Sequence, residues 1–309
     1  MSIPRLDPTG FAVWEERAPD ETRRIAVPGG SVVAYSYGDG PDTLFLLNGG
    51  PGLPCDYWRD PHLPLVAEGW RIVVHDQLGT GASDHPDDPA LWTMARYVAE
   101  VEAVLDAFGL ASVHFVGHSW GGWCGIEWAL THPGRVASMV LANTCADIPH
   151  LLTEIARLRD SLGPETVAMM QCFEAEGRFD HPAYAAAVRL LDFRHIRRQP
   201  FKPDPVRRSH AGFNRAIFEA IQGPNEYCYT GLIRDWRRID EIGRFAWPVL
   251  VATGTHDVLT PACAARMARA IPGAEIVVFP DSAHSPAYEA PRAWRAALGG
   301  FLRRAAGRA

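Results

Sequence analysis

The chain has 309 residues, of which 47% are hydrophobic and 21% are charged, so it has enough apolar residues for a large core. Disordered, coiled-coil and collagen-like architectures are therefore excluded. Thirty basic and thirty-six acidic residues give a net charge of −6, which argues against a nucleic-acid-binding protein.

The N-terminal residues, the lengths of the apolar runs and the cysteines predict where in the cell the protein resides. Residues 1–19 lack the apolar stretch of a signal peptide, and no apolar run approaches the ~20 residues that span a bilayer. The six cysteines lack CxxC spacing, which favours reduced thiols over disulfides or a zinc site. There is no HExxH motif, phosphate-binding loop or suitably placed GxGxxG. We expect a soluble, cytoplasmic protein that needs no metal or cofactor and binds neither nucleic acid nor a membrane.

Short apolar or β-branched runs bounded by turn residues predict seven strands. In chain order they cover residues 31–37, 43–47, 71–75, 113–116, 136–142, 249–252 and 275–279. Several are apolar throughout, as in strands that are covered on both faces. Helical periodicity over residues 96–108 and 123–131 lies between them. The alternation predicts an α/β protein with a mostly parallel central sheet and helices on both faces.

This alternation stops after about residue 146 and resumes at Pro248. The segment 147–243 contains helical stretches, at 151–162, 165–176 and 183–191, and no convincing strand. We predict a core formed by residues 1–146 and 244–309, interrupted by an inserted helical cap of residues 147–243. The cap is expected over the carboxyl edge of the sheet, where open α/β folds bind ligands.

The strongest local signal is the pentapeptide GHSWG at residues 117–121, a G-x-S-x-G motif. It follows a predicted strand and opens a predicted helix, which is the context of a nucleophile elbow. Glycine is needed at both ends because side chains at 117 and 121 would collide with the adjoining strand and helix. The motif predicts Ser119 as the nucleophile, and we interpret His118 as a packing residue.

Asp257 and His284 follow the last two predicted strands, at the edge where Ser119 also lies. A serine hydroxyl needs a base that a third group orients, so we predict His284 as the base and Asp257 as its partner. The order Ser, Asp, His is that of the α/β-hydrolases. His256 and Asp281 are the nearest alternatives, although Asp281 is too close to His284 in sequence to orient it.

Acyl transfer also needs donors for the developing oxyanion. The backbone N–H of Trp120, directly after the nucleophile, is one candidate. The second is the N–H of Gly50, in the glycine-rich loop that follows the strand at 43–47. Trp120 also adjoins the nucleophile and is the best candidate for the wall of an apolar pocket.

Four motifs together resemble the proline iminopeptidase family of α/β-hydrolases (peptidase family S33), and the resemblance covers most of the chain. They are NGGPG at 48–52, DQLGTGAS at 76–83, GHSWGG at 117–122 and GPNEY at 223–227, similar to the family's HGGPG, DQxGxGxS, GxSWG and GPNE stretches. The resemblance implies an α/β-hydrolase fold with an inserted helical cap that closes the pocket.

The resemblance also implies roles in substrate binding. Glu226 takes the place of the family's glutamate that binds a free amino group, and Asn48, Gly49 and Tyr227 belong to the same motifs. Two positions depart from the pattern. Asn48 stands where His is usual, and Val258 where several members have a second glutamate. With one carboxylate instead of two, we expect weaker amine recognition or a substrate other than an ordinary peptide.

We therefore predict a serine hydrolase that cleaves an N-terminal residue or aminoacyl group, through an acyl-enzyme, from a small molecule or short peptide with a free amine. The alternative among enzymes is an esterase, lactonase or amidase that does not require the amine. The alternative outside enzymes is a non-catalytic small-molecule receptor on the same fold.

Basic residues are concentrated in the predicted cap. Residues 189–215 contain eight Arg or Lys and two Asp. A solvated helix face is one interpretation of this stretch. The other is that it attracts a substrate with an anionic distal part.

Overall fold

A computed structural model describes residues 5–6, 12–13 and 17–308. Residues 5–6 and 12–13 form a short antiparallel ladder. The centre of the molecule is an eight-stranded sheet, built from β1 Glu21–Val27, β2 Gly30–Tyr37, β3 Asp42–Leu47, β4 Trp70–Asp76, β5 Val113–His118, β6 Val136–Ala142, β7 Val249–Gly254 and β8 Glu275–Phe279. Its order is β8-β7-β6-β5-β3-β4-β2-β1, and β2 alone runs opposite to the other seven strands.

Eleven α-helices occur in the part of the chain that the structure describes. They are α1 Asp56–Arg59, α2 Met94–Ala107, α3 Trp120–Thr131, α4 Ile148–Asp160, α5 Pro164–Ala175, α6 Pro182–His195, α7 Asp204–Ala211, α8 Arg215–Ile221, α9 Pro261–Ala270, α10 Pro286–Glu289 and α11 Pro291–Ala305. Short 3₁₀ helices cover Asp60–Glu68, Pro89–Leu91, Pro133–Arg135 and Ile242–Arg244. None of these helices is long and apolar enough to cross a membrane.

The two faces of the sheet carry separate hydrophobic clusters, which confirms the predicted layers. One cluster joins the sheet to α2, α3 and α9, and the other joins it to α1 and α11. All six residues of the central strand β5 are buried. Continuous apolar runs therefore form the middle of the sheet because both faces of these strands exclude water.

All seven predicted strands are present, and the eighth strand, β1, was not predicted. It pairs only with β2, at the edge of the sheet, and most of its residues are exposed. Arg23 and Arg24 occupy its middle, which removes the apolar signal of a buried strand. Charged side chains are common on edge strands because they oppose pairing with another chain.

The chain between β6 and β7 contains five α-helices and no strand. Three of them, α4, α5 and α6, cover the predicted stretches, whereas α7 and α8 were not predicted. The side chain of Asn214 begins α8 by accepting from the N–H of Ile217. Its own N–H donates to the carbonyl of Gly52 at 2.8 Å, and Ser209 bonds to Tyr57 N at 3.0 Å. These bonds attach the helical segment to the loop that follows β3.

Candidate active site

Ser119 lies in the turn between β5 and α3, with φ 53° and ψ −119°. This left-handed conformation is strained for a residue with a side chain, and it is typical of a nucleophile elbow. A Cβ at Gly121 would lie 2.1 Å from the carbonyl oxygen of Leu47, and one at Gly117 would lie 2.7 Å from that of Gly121. The predicted need for glycine on both sides of the serine is confirmed.

Asp257 and His284 form a buried hydrogen-bonded pair. The distance between His284 Nδ1 and Asp257 Oδ1 is 2.7 Å, and the two residues are 7% and 1% exposed. The carboxylate fixes the tautomer that carries a proton on Nδ1, so Nε2 is left to accept one. Of the two nearest alternatives in the sequence, Asp281 is exposed and His256 is not bonded to this carboxylate.

Two residues that the sequence analysis did not identify hold Asp257 in place. Asn143 Nδ2 donates to Asp257 Oδ2 at 2.6 Å, and the Thr253 hydroxyl donates to the same oxygen at 3.0 Å. The backbone N–H of Leu259 donates to Oδ1 at 3.0 Å. Asn143 follows β6 with φ 51°, a conformation that asparagine tolerates better than most residues. Together with His284, these three donors fix the position of the carboxylate.

The pKa of His284 is raised above its ordinary value. Burial by itself would lower the pKa, but the carboxylates of Asp257, Glu226 and Glu289 stabilise the imidazolium more strongly. The Ser119 hydroxyl and His284 line the same cavity. Among the described residues, the Ser119 hydroxyl has no hydrogen-bond partner. In hydrolases without bound substrate, the hydrogen bond between the nucleophile and its base is commonly long and shortens only when substrate binds.

The loop after β3 brings Gly50 to the same cavity, with φ 119°. Asn48 fixes the turn, because its Nδ2 donates to the carbonyl oxygens of Gly49 and Leu53 at 3.0 and 2.7 Å. Trp120 is the first residue of α3, where N–H groups have no partner inside the helix. The side chain of Ser119 does not cap this helix. Both predicted oxyanion donors thus adjoin Ser119 in the fold, and their role stays a prediction.

A chain of hydrogen bonds joins this loop to His284. The N–H of Gly49 donates to the Tyr57 hydroxyl at 2.5 Å, and this hydroxyl lies 3.0 Å from His118 Nδ1. His118 Nε2 lies 2.9 Å from the carbonyl oxygen of His284, which can only accept. Burial, then the charge of His284, lowers the pKa of His118 well below its ordinary value, so the ring is neutral. His118 therefore positions its neighbours as well as packing against them.

The cavity has a volume of about 810 Å³ and lies between the carboxyl edge of the sheet and the helical segment. Its apolar lining includes Phe179, Val188, Ile196, Phe213 and Phe218. Phe193 and Phe201, which also line it, are 54% and 50% exposed. No group of three or more His, Cys, Asp or Glu residues suited to a metal ion occurs among the described residues.

Glu226 lines this cavity and forms no ion pair within the described part of the chain. Burial raises the pKa of Glu226 to about 7, against the lowering effects of His284 and of the hydrogen bond from Gln222. That bond joins Gln222 Nε2 to one carboxylate oxygen, Oε2, at 2.6 Å. Gln222, which the sequence analysis did not identify, is fully buried and holds the carboxylate in position.

The cavity contains a second carboxylate that the sequence analysis also did not identify. Asp192, on α6, lines the cavity, and burial raises the pKa of Asp192 to about 6. Val258, by contrast, is fully buried and leaves no carboxylate directly after Asp257. The acidic side of the cavity thus has two carboxylates, of which Glu226 is at the position that the family pattern indicated and Asp192 is not.

Three residues predicted for substrate binding do not line the cavity. Asn48 is fully buried under its own loop, the N–H of Gly49 is bonded to Tyr57, and Tyr227 is 2% exposed. Their direct contact with substrate stays a prediction.

The expectation that the Trp120 indole lines an apolar pocket is wrong. Its ring packs edge-on against Tyr97 and donates to Gln77 at 2.9 Å, because the first turn of α3 directs it into the core.

The fold and this arrangement define an α/β-hydrolase. A family model described as the alpha/beta hydrolase fold matches residues 42–291. A proline iminopeptidase of Levilactobacillus brevis is 34% identical over 264 residues, which cover 84% of this chain and 87% of that protein. The chain therefore belongs to the proline iminopeptidase-like family of α/β-hydrolases, and it is a hydrolase.

Two solved structures share the fold over nearly their whole length. The crystal structure of VinJ matches this chain with a TM-score of 0.87 and 28% sequence identity. The match covers 93% of this chain and 99% of the VinJ chain. The crystal structure of the proline iminopeptidase of Mycobacterium smegmatis has a TM-score of 0.84 and 29% identity, with coverage of 92% and 98%.

Proposed function

We propose that this protein is a serine hydrolase that removes an N-terminal residue or aminoacyl group from a small substrate with a free amine. The observation that carries the proposal is the unpaired carboxylate of Glu226, in the same cavity as Ser119 and His284. A buried carboxylate is stabilised by a cationic partner, and an ammonium group supplies one. The proline iminopeptidase relatives support the same substrate class.

In the proposed mechanism the Ser119 oxygen attacks the carbonyl carbon while His284 Nε2 takes the hydroxyl proton. The N–H groups of Gly50 and Trp120 bind the oxyanion of the tetrahedral intermediate. This intermediate collapses as His284 gives the proton to the leaving nitrogen, which releases an amine and leaves an ester on Ser119. Water, deprotonated by His284, then hydrolyses the ester and regenerates the hydroxyl. Asp257 stabilises the imidazolium at each proton transfer.

Acetylation of the substrate amine is expected to lower kcat/KM by about 100-fold, because a neutral amide leaves Glu226 without a partner. The measurement compares proline and alanine 4-nitroanilides with their N-acetylated forms. Glu226→Gln should bring the two values of kcat/KM close together. Glu219→Gln is the matched control, since Glu219 is an exposed residue of α8 paired with Arg215 at 2.6 Å. Equal values in the wild-type enzyme would contradict amine recognition and favour the esterase, lactonase or amidase alternative.

The pH profile of kcat/KM should show two groups on its acid limb for an amine substrate. Glu226, with a pKa raised to about 7, must be ionised, and His284, whose pKa is also raised, must be neutral. Both conditions fail as the pH falls, so the logarithm of kcat/KM should approach a slope of 2. Glu226→Gln should reduce this slope to 1 with the same anilide. An unchanged slope in that variant would show that Glu226 does not titrate with substrate binding.

A further inference from the structure

The basic stretch at residues 189–215 divides into paired and unpaired side chains. Arg207 pairs with Asp204, Arg208 with Asp56 and Asp60, and Arg215 with Glu219, the last at 2.6 Å. Arg194 donates to the Ser161 hydroxyl at 3.0 Å. These residues form the solvated face or attach the helical segment to the core. Arg197 differs from all of them.

Arg197 lines the cavity, and its guanidinium forms no ion pair among the described residues. Its Nη1 atom is buried without a hydrogen-bond partner there, and Nη2 has only a long contact, 3.4 Å, with the Ser285 hydroxyl. The group lies 5.9 Å from the centre of the Tyr288 ring. Burial lowers the pKa of Arg197, yet an arginine stays protonated in proteins. A permanent charge is thus held at the wall of the cavity with donors unused.

The acidic residues near Arg197 leave those donors free. The oxygens of Glu289 accept instead from Arg198 N at 2.6 Å, from Ser282 Oγ at 2.9 Å and from Ala283 N at 2.6 Å. The two acidic residues that line the cavity, Glu226 and Asp192, form no ion pair with Arg197. A cavity that holds unpaired charges of both signs is complementary to a ligand that carries both.

The backbone around Arg197 is attached to the loop that carries the catalytic histidine. The N–H of His284 donates to the carbonyl oxygen of Ile196 at 3.2 Å, and Gln199 Nε2 donates to that of Tyr288 at 2.9 Å. The Arg197 side chain contacts Ser285, the residue directly after His284. In the proposed mechanism His284 gives its proton to the leaving nitrogen, so the leaving group lies beside this histidine. The guanidinium lies next to the same loop.

We infer that Arg197 binds a carboxylate on the leaving group, so that the preferred substrate is a short peptide with a free amino terminus and a free carboxyl terminus. The inference rests on the proposed function, which places the amine at Glu226. A guanidinium binds a carboxylate through two parallel N–H···O bonds, and its unused donors match that geometry. Arg197 is a specificity residue in this inference and takes no part in proton transfer.

The test compares the dipeptide Pro-Ala with its C-terminal amide. The wild-type enzyme should prefer the free carboxylate in kcat/KM by about 10- to 100-fold, the range of charge-assisted hydrogen bonds. Arg197→Gln should reduce this preference to about threefold or less, through a loss of kcat/KM for the free dipeptide. Arg197→Lys should give an intermediate value, because it keeps the charge and loses the paired geometry. Arg198→Gln, one residue along, is the matched control and should keep the wild-type preference.

Each outcome separates this inference from the proposed function. Equal hydrolysis of Pro-Ala and its amide by the wild-type enzyme would overturn the role of Arg197 and leave amine recognition intact. N-acetyl-Pro-Ala and its amide test the reverse case: acetylation without effect, together with a retained carboxylate preference, would overturn only amine recognition. Arg197→Gln should unfold at a temperature no lower than the wild type, since it removes an unpaired buried charge. A lower unfolding temperature with an unchanged preference would make Arg197 a structural residue.

Discussion

Ser119→Ala is expected to lower kcat by about 10⁴-fold or more on every substrate, because the variant has no atom that can form the acyl-enzyme. The loss should come from chemistry and not from folding. Alanine keeps the Cβ, so the strain at φ 53° is unchanged. The Ser119 hydroxyl has no hydrogen-bond partner among the described residues whose loss would destabilise the protein. The unfolding temperature should therefore match that of the wild type.

The measurement is steady-state kcat with proline 4-nitroanilide, together with labelling by a serine-directed fluorophosphonate. The wild-type protein should be labelled at Ser119, and Ser119→Ala should not be labelled. Ser161→Ala, at an exposed serine after α4, is the control and should behave as the wild type. Turnover near the wild-type value in Ser119→Ala would contradict the mechanism. Failure to label the wild-type protein, with no turnover of any substrate, would favour the receptor alternative.

The elements that the sequence predicted well are those whose local hydrophobic pattern matches the burial of their side chains in the fold. The strand 113–116 is apolar throughout because β5 is covered on both faces, and the structure extends it only by two residues. The edge strand β1 carries two arginines and has no such pattern. Helices α7 and α8 also escaped prediction, since α7 is short and strongly polar. Contacts with the core, such as that of Asn214 with Gly52, stabilise them, and a local pattern does not record these contacts.

The residues of the candidate site likewise divide into those that the sequence predicted and those that it did not. Ser119, Asp257 and His284 each follow a strand, and parallel strands bring their carboxyl ends to one edge, so order along the chain predicts proximity. Gln222 and the supporting Tyr57–His118 contact have no such signal. They are single polar residues that become neighbours of the site only through packing. A hint for Asn143 was available, because it directly follows the strand at 136–142 on the same edge.

The error at Trp120 has a physical reason of its own. Adjacency in sequence to a nucleophile places the backbone N–H beside the site, but it does not place the side chain there. The elbow turns the chain at Ser119, so the following residue is already helical and its side chain is buried. There the indole finds Tyr97 and the amide of Gln77. The side chain of Trp120 therefore belongs to the core, although its backbone adjoins Ser119.

Asp257→Asn is expected to lower kcat by about 10⁴-fold, and also to destabilise the fold by about 1–3 kcal/mol. The carboxylate accepts hydrogen bonds at both oxygens, from Asn143 and Thr253 at Oδ2 and from Leu259 N and His284 at Oδ1. The asparagine side chain has an NH₂ group in place of one carboxylate oxygen. In either orientation this NH₂ group faces hydrogen-bond donors. Facing His284, it also selects the tautomer whose Nε2 carries a proton and cannot act as a base.

Asp281→Asn is the matched control, since Asp281 is an exposed carboxylate with φ 56°, a conformation that asparagine also adopts. It should keep the wild-type kcat and unfolding temperature. The double variant Ser119→Ala/Asp257→Asn should be no slower than Ser119→Ala, because Asp257 acts through a base that has no hydroxyl left to deprotonate. A further loss in the double variant would mean that Asp257 acts on catalysis by a route outside the triad. The combination thus distinguishes a carboxylate that orients His284 from one that only holds the carboxyl ends of β6 and β7 together.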